Sequence, residues 1–174
     1  AEIPVFEALS DAAAKPFDWL LSIANLDMLT AEELGLASCG NLNFHDGPLP
    51  AYAGLNTPVW AILNGETHHA INWHHMVEKA DAGNVLASRS FAIAADETAL
   101  TLNAKCYEKA LEAFDDVLRA LTRGEVDGTP IGAGERRLYL GRVLPENRGY
   151  LDLNSSTEKA ARLVRALDHG EYWN

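Results

Sequence analysis

Short apolar runs alternate along this chain with segments of helical period, and that alternation predicts an α/β layer architecture. The run Phe17-Asp18-Trp19-Leu20-Leu21-Ser22-Ile23-Ala24 is short and mostly apolar, as a strand covered on both faces must be. Leu42 to His45 follows Gly40 as a second brief strand. Ile71 to Met76 forms a third, and Val85 to Ile93 supplies one or two more. Thr30 followed by Glu33 reads as a capping box that opens a short helix through Leu36. The clearest helix runs from about Thr98 to Arg123: Tyr107, Ala110, Leu111, Phe114, Val117, Leu118 and Leu121 recur at helical spacing, and Gly124 stands where a C-cap belongs. Ser155 with Glu158 caps a last helix carrying Leu163, Val164 and Leu167. Residues 122–137 are rich in Gly, Thr, Pro and charge and read as a surface loop.

Composition narrows the setting. A length of 174 residues suits one domain able to bury its own core. Residues 1–95 carry the sheet and the chemistry, 96–124 the long helix, and 125–174 a loop, short strands and a closing helix. Cys39 and Cys106 make neither a disulfide framework nor a Cys-x-x-Cys pair, which points to a reducing, cytoplasmic compartment. The 14 Lys and Arg against 25 Asp and Glu give a net charge of −11, which argues against nucleic acid as partner. Apolar stretches are too short to cross a membrane, and the start, Ala1 to Phe6, lacks the basic flank and apolar run of a signal peptide. Small molecules are the partners that remain.

The polar residues with chemical potential concentrate between Asn41 and Asp81. In a strand, residues i and i+2 share a face, so Asn43 and His45 project together. Pro48 and Pro50 forbid continuation into a helix or a central strand, so this pair sits at a strand's exit. Open parallel sheets bind ligands at that edge. An Asn amide, an imidazole and a later Asp on a Gly-containing turn, Asp81-Ala82-Gly83, can together polarise a carbonyl and move a proton.

These residues resemble the folate-dependent formyltransferase family. The family pairs Asn-x-His and a Pro-Leu-Pro type of turn with an Asp-x-Gly loop a few dozen residues on. Here Asp81 follows His45 by 36 residues, and Pro48-Leu49-Pro50 lies between them. Ser22 to Thr30 resembles the strand and loop lining a folate pocket. Gly65-Glu66, Ile71 to His74, Glu97-Thr98-Ala99 and Leu163 to Leu167 are similar to later family segments. The resemblance implies a three-layer, Rossmann-like, mostly parallel sheet with flanking helices. It also implies transfer of a formyl group from 10-formyltetrahydrofolate, without a metal, to an amine on a small molecule or a carrier. Asn43 and His45 would stabilise the oxyanion and Asp81 would relay the proton. Leu26, Asp27, Met28 and Leu29 on one side and Val77, Glu78, Lys79 and Ala80 on the other would hold the pterin.

The departures carry expectations too. The family commonly has Pro-Ser or Gly-Ser after the motif His, where this chain has Asp46-Gly47, a carboxylate placed to touch the amine. Asn25 replaces an aromatic and Thr30 a proline of the pocket loop. The family domain normally begins with further βα units, so the chain reads as fragment-like, and its edge at Phe17 to Ala24 is expected to be unpaired or covered by another copy or another chain. The ending Asp168 to Asn174 resembles assembly-line members. The other functional readings are a 10-formyltetrahydrofolate hydrolase and a non-catalytic binding module. His68, His69, His74 and His75 suggest a metal cluster, but His74 and His75 face opposite ways on a strand. His74 reads as a hydrogen-bonded core imidazole, Trp60 and Trp73 as packing residues, and Arg136, Arg137 and Arg142 as solvated loop charges.

Overall fold

The computed structural model describes residues 4–12 and 15–171; Ala1 to Ile3 and Tyr172 to Asn174, which carry parts of the opening and closing segments read above, lie outside them. In chain order come α1 (Leu9–Ala12), β1 (Trp19–Ser22), α2 (Ala31–Leu34), β2 (Gly40–His45), β3 (Ala53–Gly54), α3 (Thr57–Asn64), β4 (His68–His75), β5 (Val85–Ala92), α4 (Ala99–Arg123), β6 (Leu138–Tyr139), a 3-10 turn (Glu146–Gly149) and α5 (Thr157–Ala166).

Four strands form the main sheet in the order β1-β2-β4-β5, and β3 pairs with β6 in a small second one. The α/β layering holds, but the main sheet is mixed rather than mostly parallel. Only β1 and β2 run parallel; β2 with β4 and β4 with β5 are antiparallel. Chain length explains the second of these antiparallel pairings, β4 with β5. The 76–84 connection is too short for a parallel crossover, which needs a dozen or more residues and usually a helix.

Alternation decides which residues face which side. Leu42, Phe44, Ile71 and Trp73 all project to one face, where they pack on Cys106, Ala110, Ala113 and Val117 of α4. The indole Nε1 of Trp73 donates to the Ala110 carbonyl, so this ring buries its apolar surface without stranding a donor. Leu111, expected on the buried stripe, faces solvent instead. A second cluster joins Tyr52, Val59 and Ile62 to Leu102 and Ala166, locking α3 and α5 onto the start of α4.

The caps follow the sequence closely. Thr30 and Glu33 form the reciprocal box ahead of α2, Thr98 caps α4, and Gly124 closes it in the left-handed region. The cap of α5 is Ser156 rather than Ser155. Ser156 accepts from the Lys159 amide, whereas the Ser155 hydroxyl turns back to the Asp152 carbonyl. Helix α3 was not anticipated, although Pro58 in its first turn and Gly65 past its end are ordinary boundary residues. No helix among the described residues is long and apolar enough to cross a membrane.

Candidate active site

On the face of the sheet opposite α4, alternation leaves a row of polar side chains. The antiparallel register sets Asn43 against His74 and His45 against Asn72. Residues paired across antiparallel strands share a face, so two strands contribute two histidines and two amides to one surface. The 76–84 loop then brings Asp81 over that surface. Gly83 makes this possible: a β-carbon there would collide with the backbone carbonyl of His75, so the loop turns tightly off β4 only with glycine. Asp81 itself has φ of 46°, the left-handed region that Asp tolerates better than most residues.

Hydrogen bonds fix which atoms face the cleft. The Nε2 of His45 lies 2.6 Å from the Tyr52 carbonyl, which can only accept, so Nε2 carries the proton. Its Nδ1 is left facing Oδ1 of Asp81 at 3.6 Å. His74 is oriented the other way: Nδ1 donates to the His75 carbonyl at 2.8 Å. The Nε2 of His74 therefore stands 3.2 Å from Oδ1 of Asp81 and 3.3 Å from Nδ2 of Asn43. Neutral, that nitrogen accepts from Asn43; protonated, it donates to Asp81. The second carboxylate oxygen, Oδ2, accepts from the Gly54 amide at 2.7 Å.

The cluster is nearly dry: His45 is 5% exposed, His74 2% and Asp81 11%. Burial alone pushes the Asp81 carboxyl upward. The His74 hydrogen bond, the field of His45 and the Gly54 N–H together outweigh it, and Asp81 is held below the ordinary carboxylate range. This carboxylate stays ionised in a place where an unpaired one would not.

The cluster forms the floor of a cavity of about 640 Å³, within the usual range for small-molecule sites. Of the residues read as a folate pocket, Leu26, Asp27, Met28, Leu29, Val77 and Ala80 line this cavity; Glu78 and Lys79 are exposed and outside the lining. Asn43, His45 and Asp81 lie in one cleft, as expected. Asp46, which also lines the cavity, is not a free carboxylate beside His45. Its Oδ1 accepts from the Thr57 hydroxyl at 3.1 Å, and its carbonyl accepts from Thr57 and from Nε2 of His69.

Three features escaped the sequence reading. His74 is buried and hydrogen-bonded, but its partner is the carboxylate of the site. The register that sets it opposite Asn43 is not stated by either strand alone. The far wall adds Asn103, Tyr107, Tyr139 and His169, drawn from segments with no motif of their own. Arg136, read as a solvated charge, donates to the Ala80 carbonyl at 2.6 Å. Among the described residues no group of His, Cys, Asp and Glu could hold a metal ion. His69 and His75 spend ring nitrogens on backbone carbonyls, those of Asp46 for the first and of Asn41 and Val126 for the second.

An amide, two imidazoles and a buried carboxylate around one cavity are groups able to perform acid–base chemistry and to stabilise an oxyanion, as acyl transfer requires. The formyl transferase family model matches residues 11–118, and the chain belongs to that family of one-carbon group transferases. Solved structures share the fold. A Mycobacterium tuberculosis protein described as a candidate sugar N-formyltransferase is 22% identical with a TM-score of 0.79, over 94% of this chain and 69% of its own. A Helicobacter canadensis N-formyltransferase in complex with folinic acid and dTDP-3-aminofucose is 17% identical with a TM-score of 0.73, over 84% of this chain and 53% of its own. HypX from Aquifex aeolicus in complex with tetrahydrofolic acid is 24% identical with a TM-score of 0.71, over 87% of this chain and 26% of its own. The chain thus spans about half the length of the Helicobacter enzyme.

Proposed function

We propose that this chain transfers a formyl group from 10-formyltetrahydrofolate to an amine on a small molecule or a carrier-bound acceptor. The observation that carries this reading is the convergence of Asn43, His45, His74 and Asp81 on the floor of one cavity. The folate supplies the formyl carbon. Leu26, Met28, Leu29 and Val77 would cover the faces of its pterin, and backbone groups of the same loops would read its polar edge. That folinic acid and tetrahydrofolic acid are bound by two proteins of this fold supports the assignment.

The chemistry follows from the atoms that face the cleft. As the amine nitrogen attacks, negative charge builds on the formyl oxygen. Asn43 donates an amide N–H to it, and His45, whose Nδ1 faces the cleft beside Asp81, supplies a second donor when protonated; one such donor is typically worth ~3–4 kcal/mol. Asp81, already ionised and oriented by His74, takes the proton lost by the attacking amine and passes it through water toward the departing folate nitrogen. Bonds balance: a new C–N bond forms to the acceptor, the C–N bond to the folate breaks, and one proton moves between them.

The β1 edge supports a further reading of partners. Beyond β1 the main sheet has no strand among the described residues, and Trp19, Leu20 and Leu21 are only half-buried. An apolar edge of this kind invites pairing with another strand; with these 174 residues alone in solution, a second copy is the partner available to it. Sedimentation at micromolar concentration should then show a dimer, and a Leu20→Lys variant should run as a monomer.

Formyl transfer to a panel of amines, run beside formate release, tests the function. Formylated amine is expected, with tetrahydrofolate released in equal amount. Free formate without loss of amine would assign a hydrolase instead. No measurable folate binding would make the chain a non-catalytic module.

A further inference from the structure

Asp81 holds its place from outside its own loop. The carbonyl just before it, that of Ala80, accepts from Nη2 of Arg136 at 2.6 Å. Arg136 is half-buried; Nη2 makes this bond, while its buried Nε has no hydrogen-bond partner, so the Ala80 carbonyl is what anchors the guanidinium. The residues that follow continue the grip. The Ala53 amide donates to the Arg137 carbonyl at 2.9 Å and the Leu55 amide to the Tyr139 carbonyl at 2.8 Å, which draws β6 alongside β3.

Gly54 lies between those two bonds, with φ of 94°, and a β-carbon there would run into the Tyr139 backbone. Its amide is the donor to Oδ2 of Asp81. Residues 136–139 therefore fix the carboxylate twice: through the backbone, by way of Ala80, and through Oδ2, by way of Gly54. This segment falls outside the 11–118 stretch that the family model matches.

We propose that Arg136 is a positioning residue for Asp81, tying down the Ala80 carbonyl so that the left-handed backbone at Asp81 keeps Oδ1 against His74 and His45. A hydrogen bond from a charged donor is stronger than a neutral one and suits holding a peptide in a conformation it would otherwise leave. With the tie cut, the loop relaxes toward an ordinary backbone and the carboxylate swings off the two imidazoles. The groups facing Asp81 are His45 on β2, His74 on β4 and the Gly54 amide on β3, so its ionisation depends on that placement. The catalytic consequence rests on the formyl-transfer reading; the structural one does not.

The test is Arg136→Met and Arg136→Lys in the full chain, read in two ways. In formyl transfer, Arg136→Met should lose roughly 10–100-fold in kcat with little change in KM, and the acid limb of its pH profile should shift. Arg136→Lys should recover much of the loss, because an ammonium also donates to a carbonyl. Independently, the ring-nitrogen NMR signals of His74 and His45 should move in Arg136→Met toward those of Asp81→Asn, with the unfolding temperature changed by no more than about 5 °C. A kcat within about threefold of wild type together with unmoved histidine signals would overturn the proposal. If the wild type transfers no formyl group, the functional reading fails, and the histidine signals alone decide this one. If Arg136→Met does not fold, the Arg136→Lys spectrum decides: histidine signals displaced from wild type toward Asp81→Asn support the tie, and signals unmoved from wild type refute it.

Discussion

On the β2–β4 side of the cavity, His45 and His74 are almost sealed from water and every ring nitrogen has an assigned neighbour, whereas across the opening Leu26 and Met28 stand 77% and 64% exposed. The first wall rests on Leu42, Phe44, Ile71 and Trp73, packed against α4, so its polar row cannot shift without disturbing the core. The second wall is a loop whose internal ties are a short Asn25–Asp27 turn and the Thr30–Glu33 box at its end. A group that must meet a reacting atom at fixed distance belongs on the first wall. Apolar side chains that gain by being covered belong on the second. Under the proposed function, chemistry falls to one wall and recognition to the other, and substitutions can separate them.

The largest effect is expected at the rigid wall. Replacing His45 by Ala should lower turnover by ~10²–10³-fold and leave folate affinity nearly unchanged, because its donor acts mainly as charge develops. Asn43→Ala should behave alike. The double variant should lose much less than the product of the two, since both address one oxygen. Steady-state kinetics beside calorimetric folate binding checks all three.

Asp81 tests the electrostatics of the same wall. Its carboxyl is held below the ordinary range in the folded protein, so it contributes stability above the unfolded value, near pH ~4, and loses it as pH falls through the folded one. Wild-type unfolding temperature should therefore fall more steeply below about pH 4 than that of Asp81→Asn. Asp81→Asn should also flatten the acid limb of the rate. Parallel pH profiles for the two proteins would remove the charge from the account.

Effects at the recognition wall should be smaller and of a different kind. Leu26→Ala or Met28→Ala should each weaken folate binding by about 1 kcal/mol, roughly fivefold, with kcat preserved. Thr30→Ala, which opens the box anchoring this loop, should raise the folate Kd by only about twofold and leave global stability within about 1 kcal/mol.

Much of this division was legible in the chain. The period-2 placement of Asn43 and His45, the 36-residue step to Asp81 and the caps at Thr30, Thr98 and Gly124 are local signals, and local signals survive folding. What could not be read depends on register and on long-range contact. His74 joins the site through the register that sets it opposite Asn43, and no pattern within either strand states that pairing. Arg136 has the composition of a surface loop around it, and its partner lies 56 residues away. Asp46 looked like an extra carboxylate for substrate. Its capture by Thr57 required α3, which the reading of that stretch as a chemical motif had obscured.

The most direct test of the central claim is a crossed comparison of His45→Ala and Leu26→Ala, measuring single-turnover formyl transfer and tetrahydrofolate affinity on the same preparations. The predicted result is opposite losses: His45→Ala gives up ~10²–10³-fold in rate and keeps its affinity, while Leu26→Ala gives up roughly fivefold in affinity and keeps its rate. A His45→Ala protein that turns over within about threefold of wild type would contradict it.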